Sequence, residues 1–273
     1  MNTVVVTGGF DNLRSIHVRF LEEAAKLGNV DIALWSDETL QALEGRPPRF
    51  PERERLYLLQ SLRFVARASF VRGIIEPDTL PDLEDVQSPI WVVSEESDNP
   101  AKRAYAEARG IPYSVIRNQD LSGFPVPSFA PPASDSARKR VMVTGCFDWF
   151  HSGHVRFFEE ASASGDLYAI VGHDANIKLL KGEGHPLLSQ AERLYMVHAV
   201  RHVHRAMIST GHGWLDAEPE IALVKPHFYV VNEDGDKPEK RAFCAAHAIE
   251  YVVLKRIPKE GLPRRESTLL RAL

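Results

Sequence analysis

Two histidines three residues apart are the most chemically loaded pair in the chain. They lie in Thr144-Gly145-Cys146-Phe147-Asp148-Trp149-Phe150-His151-Ser152-Gly153-His154. The apolar run Val141-Met142-Val143 leads into this stretch and reads as a buried parallel strand. Val155 through Ala161, behind it, has helical apolar spacing. The stretch is therefore strand, tight turn and helix N-terminus. Gly145 and Gly153 allow close backbone approach, and the free N–H groups of a helix start favour an anion. His151 and His154 stand where that anion would lie. No carboxylate or cysteine is placed to complete a metal site around them, so no metal ligand is assigned.

Three further stretches carry groups suited to phosphate. Asp174 through Pro186 reads as a loop with two lysines, Lys178 and Lys181, and flexible cations beside a phosphate site can neutralise two anions that must meet. Near the end, Arg264 and Arg265 precede Ser267-Thr268, a capped helix start of the kind that binds phosphate, with Arg256 as an alternative arginine. Glu192-Arg193 heads a helical pattern, where Arg193 either orders the phosphate loop or solvates a helix. Trp214, in Ser209 through Trp214, is either a pocket wall or a helix-start packing residue. Asn232 opens Asn232-Glu233-Asp234-Gly235-Asp236-Lys237-Pro238, where Asp236 reads as a cap for the helix that follows.

The elements that must position these groups occur twice. Thr7-Gly8-Gly9-Phe10-Asp11 matches Thr144 through Asp148, Glu54-Arg55-Leu56-Tyr57 matches Glu192 through Tyr195, and Asp98 through Tyr113 matches Asp236 through Tyr251, all at nearly the same offset. The repeat is too long for a solenoid unit, so it is a duplicated domain. In the second copy, strands are expected at 140–146, 167–172, 202–208, 227–232 and 251–255, and helices at 153–163, 190–200, 214–224 and 237–247. The first copy reads similarly, with strands at 4–7, 31–35, 90–94 and 113–116 and helices near 13–26, 52–64 and 101–109. Alternating strands and helices with right-handed crossovers predict an α/β chain of two tandem Rossmann-like, doubly wound parallel-sheet domains. The expected division is 1–117, a Pro/Ser-rich linker at 118–138, and 139–273. Phe124 and Phe129 in the linker are expected to lie against a domain.

Composition narrows the class. The chain has 273 residues, 44% hydrophobic and 26% charged, with a net charge of −4 and two cysteines. It is long enough for two modest cores. A general basic surface for nucleic acid is not evident, and two cysteines suit a reducing cytosol rather than a disulfide framework. No apolar run is long enough to span a bilayer, and the N-terminus lacks signal-peptide character, so a cytoplasmic location is expected.

The H-x-G-H spacing after a strand and G-x-F-D resembles the signature of the cytidylyltransferase-like nucleotidyltransferases. The resemblance covers almost all of 139–273 and, more weakly, 1–116. It implies transfer of an NMP group from an NTP to a phosphorylated small molecule, with release of pyrophosphate and with Mg²⁺. By the same resemblance, His151, His154 and Lys181 are catalytic. Gly145, Phe147, Asp148, Gly153, Lys178, Arg193, Asn232, Arg264, Arg265, Ser267 and Thr268 bind the nucleotide, Asn232 in the loop that touches the base. The glycine of the closing R-x-x-x-S-T element lies earlier here than in the family pattern. The two-copy layout resembles the phosphoethanolamine cytidylyltransferases, whereas K-G-E-G-x-P resembles the heptose-1-phosphate adenylyltransferases. CTP is placed ahead of ATP as substrate, and a sugar-phosphate adenylyltransferase or a non-catalytic nucleotide-sensing scaffold are the alternatives. Class I aminoacyl-tRNA synthetases share H-x-G-H, but no K-M-S-K-S-like loop accompanies it here.

The first copy has lost three of these elements. Arg14 stands for His151, Ile16 for Gly153, and only His17 survives. Asp37 through Glu44 carries no lysine, and no R-x-x-x-S-T element follows Ile116. The expectation is a degenerate domain that packs on the second as a pseudo-dimer partner, with further homo-oligomerisation open.

Overall fold

The computed structural model of the protein describes residues 2–71, 76–82, 86–128 and 138–270. Met1–Gly123 and Phe124–Leu273 form two compact units. The first contains β1 (Thr3–Gly8), α1 (Ser15–Ala25), β2 (Asn29–Trp35), α2 (Asp37–Glu44), α3 (Glu52–Gln60), β3 (Val65–Val71), β4 (Ile90–Ser94), α4 (Pro100–Ala108) and β5 (Tyr113–Ile116). The second contains β6 (Arg140–Gly145), α5 (Ser152–Ser162), β7 (Asp166–Val171), α6 (Asp174–Lys181), α7 (Gln190–His198), β8 (Arg205–Ile208), α8 (Glu218–Val224), β9 (Phe228–Asn232), α9 (Pro238–Ala246), β10 (Glu250–Leu254) and α10 (Ser267–Leu270).

Both sheets are parallel, in the orders β3-β2-β1-β4-β5 and β10-β9-β6-β7-β8. These are Rossmann-like doubly wound sheets. Strands covered on both faces must be apolar throughout, and Val4, Val5, Val141, Met142 and Val143 are indeed fully buried. α5 shows the complementary pattern. Val155, Phe157, Phe158 and Ala161 are buried, while Arg156 pairs with Glu159 and Glu160 at 3.0 and 2.7 Å.

In each sheet the strand order reverses at the first strand, between β1 and β4 and between β6 and β9. Ligands of such sheets bind in the crevice beyond the carboxyl ends at this switch point. In the second unit the loops after β6 and β9 border that crevice.

The loop after β6 is bent hard. Phe147 and Trp149 hold φ of 53° and 52°, which costs non-glycine residues about 1–3 kcal/mol each. Two interactions impose the bend. The Asp148 carboxylate accepts from the amides of Leu187 and Leu188 at 2.8 and 3.1 Å. The fully buried Arg193 guanidinium donates to Cys146 O (2.6 Å), Gly172 O (2.8 Å) and Leu188 O (3.0 Å), and to Asp174 Oδ1 (2.7 Å). One side chain thus ties three loops and the N-terminal turn of α6 together. The first unit repeats this frame. Asp11 accepts from the amides of Arg49 and Phe50, and buried Arg55 donates to Gly9 O, Trp35 O, Phe50 O and Asp37.

Several elements differ from the sequence expectation. Asp174–Lys181 is a helix rather than a loop, with the His173 side chain accepting from Asn176 N at 3.2 Å at its start and Gly182 closing it. β3 had no counterpart in the expected strands, because Arg67 and Ser69 interrupt its apolar run at the sheet edge. β8 begins at Arg205, and Gly213–Leu215 is a 3₁₀ turn ahead of α8. At the start of the expected linker, Asn118–Leu121 forms a 3₁₀ turn of the first unit. Leu121 is buried there, and Asp120 O accepts from Arg19 at 2.9 Å. Phe124 meets the Tyr195 ring at 5.9 Å, whereas Phe129 lies outside the described residues.

Replacing Arg193 by Met leaves three carbonyls and Asp174 without their donor. The expected loss is about 3–5 kcal/mol for the second unit, read as a lower denaturation midpoint; an unchanged midpoint would show that the bend is set elsewhere.

Candidate functional site

A cavity of about 450 Å³ occupies the crevice of the second unit. The β6 strand end and its loop contribute Thr144, Gly145, Cys146, Phe147 and Asp148. The start of α5 contributes His151, Gly153 and His154. Lys181 and His185 come from the end of α6 and beyond, Asn232, Asp234, Gly235 and Lys240 from the β9–α9 side, and Arg256, Glu266 and Ser267 from the C-terminal segment.

The histidines are positioned by the helix start itself. His151 is the N-cap of α5, and its Nδ1 accepts from Gly153 N at 3.1 Å. That assignment leaves Nε2 as the protonated, donating nitrogen. The two imidazoles stack at 3.9 Å and 21°, and the Phe147 and Phe150 rings approach His154 at 5.6 and 5.8 Å. Both glycines of the motif make room for these rings. A Cβ on Gly145 would come within 2.8 Å of the Phe147 ring, and one on Gly153 within 2.9 Å of the His151 ring.

Burial decides the charge state. The His151 pKa is pushed down to about 3, first by burial and then by Arg256 and Arg265. That of His154 is driven well below its usual value by burial, then by His151, Arg256 and Lys181. Both rings are neutral hydrogen-bonding groups at neutral pH. The Nδ1 of His154 is buried and has no hydrogen-bond partner among the described residues.

Positive charge comes from the other walls. Lys181 and Lys240 pair with no carboxylate among the described residues, although Lys240 Nζ donates to Gly235 O at 3.4 Å. Burial, then Lys237, lowers the Lys240 pKa. Arg256 donates to Asp234 at 2.9 Å and to Arg265 O at 3.3 Å. Ser267 Oγ donates to Asp148 O at 2.8 Å, which docks the start of α10 on the strained loop.

Of the residues singled out from sequence, His151, His154, Lys181, Gly145, Phe147, Asp148, Gly153, Asn232 and Ser267 share this cavity. Four others stand elsewhere. Arg193 lies behind the loop, bonded to main chain. Lys178 is exposed and paired with Glu183 at 3.0 Å. Arg264 and Arg265 line a smaller neighbouring cleft, with Arg264 3.6 Å from Glu266. The Thr268 side chain lies outside the described residues. Trp214 is exposed and is not part of the cavity wall. Lys240 was not singled out, although the duplication carried a signal for it. It is the Lys of the Lys-Arg-Ala run common to both copies, and its partner Lys102 lines the corresponding cleft of the first unit.

Among the described residues, no group of three or more His, Cys, Asp or Glu side chains could hold a metal ion. Both oxygens of Asp148 are also committed to backbone amides. Mg²⁺ ordinarily keeps several waters and is held by substrate phosphates with one or two carboxylates rather than by an all-protein cage, so a metal here would enter with the triphosphate. No helix of the described residues is long and apolar enough to cross a membrane.

The doubly wound fold and a cavity walled by H-x-G-H define the class, and sequence comparison gives the family. A model of the Cytidylyltransferase-like family matches residues 142–236. FAD synthase of Aciduliprofundum boonei is 34% identical over 45% of this chain and 80% of its own length. FAD synthase of Methanopyrus kandleri is 37% identical over 37% of this chain and 67% of its own. The bifunctional protein HldE of Pelobacter propionicus is 32% identical over 49% of this chain, a match that spans only 26% of that relative. The chain belongs to the cytidylyltransferase-like family, a family of nucleotidyltransferases.

NMR of the histidine rings reads their charge state directly. His151 is expected to show no titration between about pH 8 and pH 5, where an exposed histidine passes through its midpoint. A midpoint near 6.5 for His151 would mean that solvent reaches the ring.

Proposed function

We propose that the second unit transfers a nucleotidyl group from a nucleoside triphosphate to a phosphorylated small molecule. An oxygen of the acceptor phosphate attacks the α-phosphorus in line. The new O–P bond forms as the bond to the β-phosphate oxygen breaks, and pyrophosphate leaves with the displaced electron pair. Such a reaction needs alignment of two anions and stabilisation of charge on the phosphoryl and leaving oxygens, rather than a protein nucleophile.

The observation that carries this reading is convergence. The α5 N-terminus, two neutral imidazoles, Lys181, Lys240 and Arg256 surround one cavity at the switch point of a parallel sheet. His151 Nε2 is assigned as a donor to the triphosphate, with His154 beside it. Lys181 holds the α-phosphate and the incoming acceptor, and Lys240 and Arg256 add charge on the opposite wall. Ser267 and the turn at Thr268 bind the nucleotide phosphates. Arg264 stands beside Glu266 at the cavity edge, Arg265 is close enough to depress the His151 pKa, and Lys178 is paired with Glu183, so these three are assigned a supporting part at the rim.

The names of the relatives favour ATP. FAD synthase names a product with an adenine end, and K-G-E-G-x-P agrees with an adenylyl donor; this reverses the order in which the duplicated layout placed CTP and ATP. The first unit lacks the lysines of α6, one histidine and the closing element, so transfer is assigned to the second unit alone.

The test is pyrophosphate release with each of the four common triphosphates across a panel of phosphorylated sugars and alcohols. His154→Ala is expected to lower release by about 10²–10³-fold with an unchanged circular dichroism spectrum. Release at the wild-type rate would refute the site. Absence of release with every pair would favour the nucleotide-sensing alternative.

A further inference from the structure

The first unit keeps the frame of the second unit's cavity but changes what faces it. A cleft of about 360 Å³ opens beyond β1 and β4, where its strand order reverses. The loop after β1 is bent like its counterpart, with Phe10 and Asn12 at φ of 49° and 60°. Asp11 and Arg55 hold that bend by the same bonds that Asp148 and Arg193 make. A turn that merely joins a strand to a helix has relaxed alternatives. One held in a costly conformation by a buried arginine shapes something.

What it shapes is not a polyphosphate site. Arg14 replaces the first imidazole at the N-cap of α1, and Ile16, 45% exposed, replaces the glycine. α2 carries no lysine, and its Glu44 lines the cleft. Among the described residues, two cations, Arg46 and Lys102, line the cleft, and both are engaged. Arg46 lies 2.6 Å from Glu44 and 3.8 Å from Asp11, while Lys102 donates to Ser97 O at 2.6 Å and lies 3.6 Å from Asp78. Among the described residues of the second unit, Lys181 and Lys240 have no carboxylate within ion-pair distance. The His17 pKa is lowered by burial, then by Arg14, against the opposing pull of Glu96. The lining also holds apolar groups, Phe10, Ile16 and Trp35 among them, the hydroxyls of Ser94 and Ser97, and the polar side chains of Asp11, Glu96 and Asn118.

One contact beside the cleft is kept although the residues around it differ. Lys102 Nζ bonds the carbonyl of Ser97, as Lys240 Nζ bonds that of Gly235, so the loop and helix after β4 share this contact with those after β9. One imidazole, the glycine and the α6 lysines are lost, while His17 and the lysine-to-carbonyl contact after β4 are kept.

We infer that the first unit's cleft binds a neutral nucleoside and excludes triphosphates. The flat ring packs against Phe10, Ile16 and Trp35, and the ribose hydroxyls bond to Ser94, Ser97, Glu96 and neutral His17. The choice of a nucleoside among flat, hydroxyl-bearing molecules rests on the nucleotide reading of the second unit.

Fluorine NMR of the full chain labelled with 5-fluorotryptophan tests this. Trp35→Phe assigns the resonance from the first cleft, and Trp149→Phe assigns the one from the H-x-G-H loop. Adenosine, cytidine, guanosine and uridine are added singly, then inorganic tripolyphosphate. At least one nucleoside is expected to shift the Trp35 signal saturably, tripolyphosphate to leave it in place, and Ile16→Arg to abolish the shift. Because Ile16 is half exposed, that variant should keep the wild-type circular dichroism; Glu96→Gln is the second variant, expected to weaken the shift. The inference is overturned if no nucleoside moves Trp35 up to its solubility limit, or if tripolyphosphate moves it. A silent Trp35 with a Trp149 signal that responds to tripolyphosphate removes this inference and leaves the proposed function standing. A responsive Trp35 with a silent Trp149 does the reverse.

Discussion

A buried guanidinium under a strained loop is the constraint on which both units depend. Arg193 makes four hydrogen bonds to Cys146, Gly172, Leu188 and Asp174, from three separate segments of the second unit. Arginine suits this task because its donors form a planar, rigid fork that can serve several carbonyls at once. A fully buried cation is costly unless every donor is met, so the loops cannot relax apart without exposing that cost. The strain at Phe147 and Trp149 is held in this way, and it places the His151 N-cap at the mouth of the crevice.

From this frame the chemistry follows. Because His151 caps α5 through Nδ1, its Nε2 proton is available to a ligand. Because both rings are packed among aromatics, they stay neutral and keep fixed directions. The cations stand on separate elements, α6, α9 and the segment after β10. A polyanion can therefore be met from several sides, with the imidazoles and Arg256 held in place before it arrives and Lys181 free to reach it.

The duplication separates frame from chemistry. Both units keep the aspartate that caps a loop, the buried arginine and the lysine of the Lys-Arg-Ala run, whereas only the second has both imidazoles and the small residue between them. Much of this was legible in the sequence. The H-x-G-H spacing marks a strand–turn–helix, and the near-constant offset between copies marks two sheets. The least legible parts depend on contacts between distant segments. Asp174–Lys181 read as a loop because glycines and a proline follow it closely, yet a His173 cap makes it a helix. Arg264 and Arg265 read as phosphate ligands from their place before Ser267, and in the fold they line a cleft that adjoins the cavity, with Arg264 beside Glu266. Arg193 left two readings open, and only the fold shows that it binds main chain. Lys240 went unnoticed because a lysine in a helix is ordinarily a surface residue, and its burial beside the cavity comes from the β9–α9 turn.

The most direct test of the account is a crystal structure of the full chain soaked with a non-hydrolysable triphosphate analogue. The account places the triphosphate in the second unit, within hydrogen-bonding distance of His151 Nε2 and against the N-termini of α5 and α10. A triphosphate seated in the first unit's cleft, or on a surface away from both histidines, would contradict it.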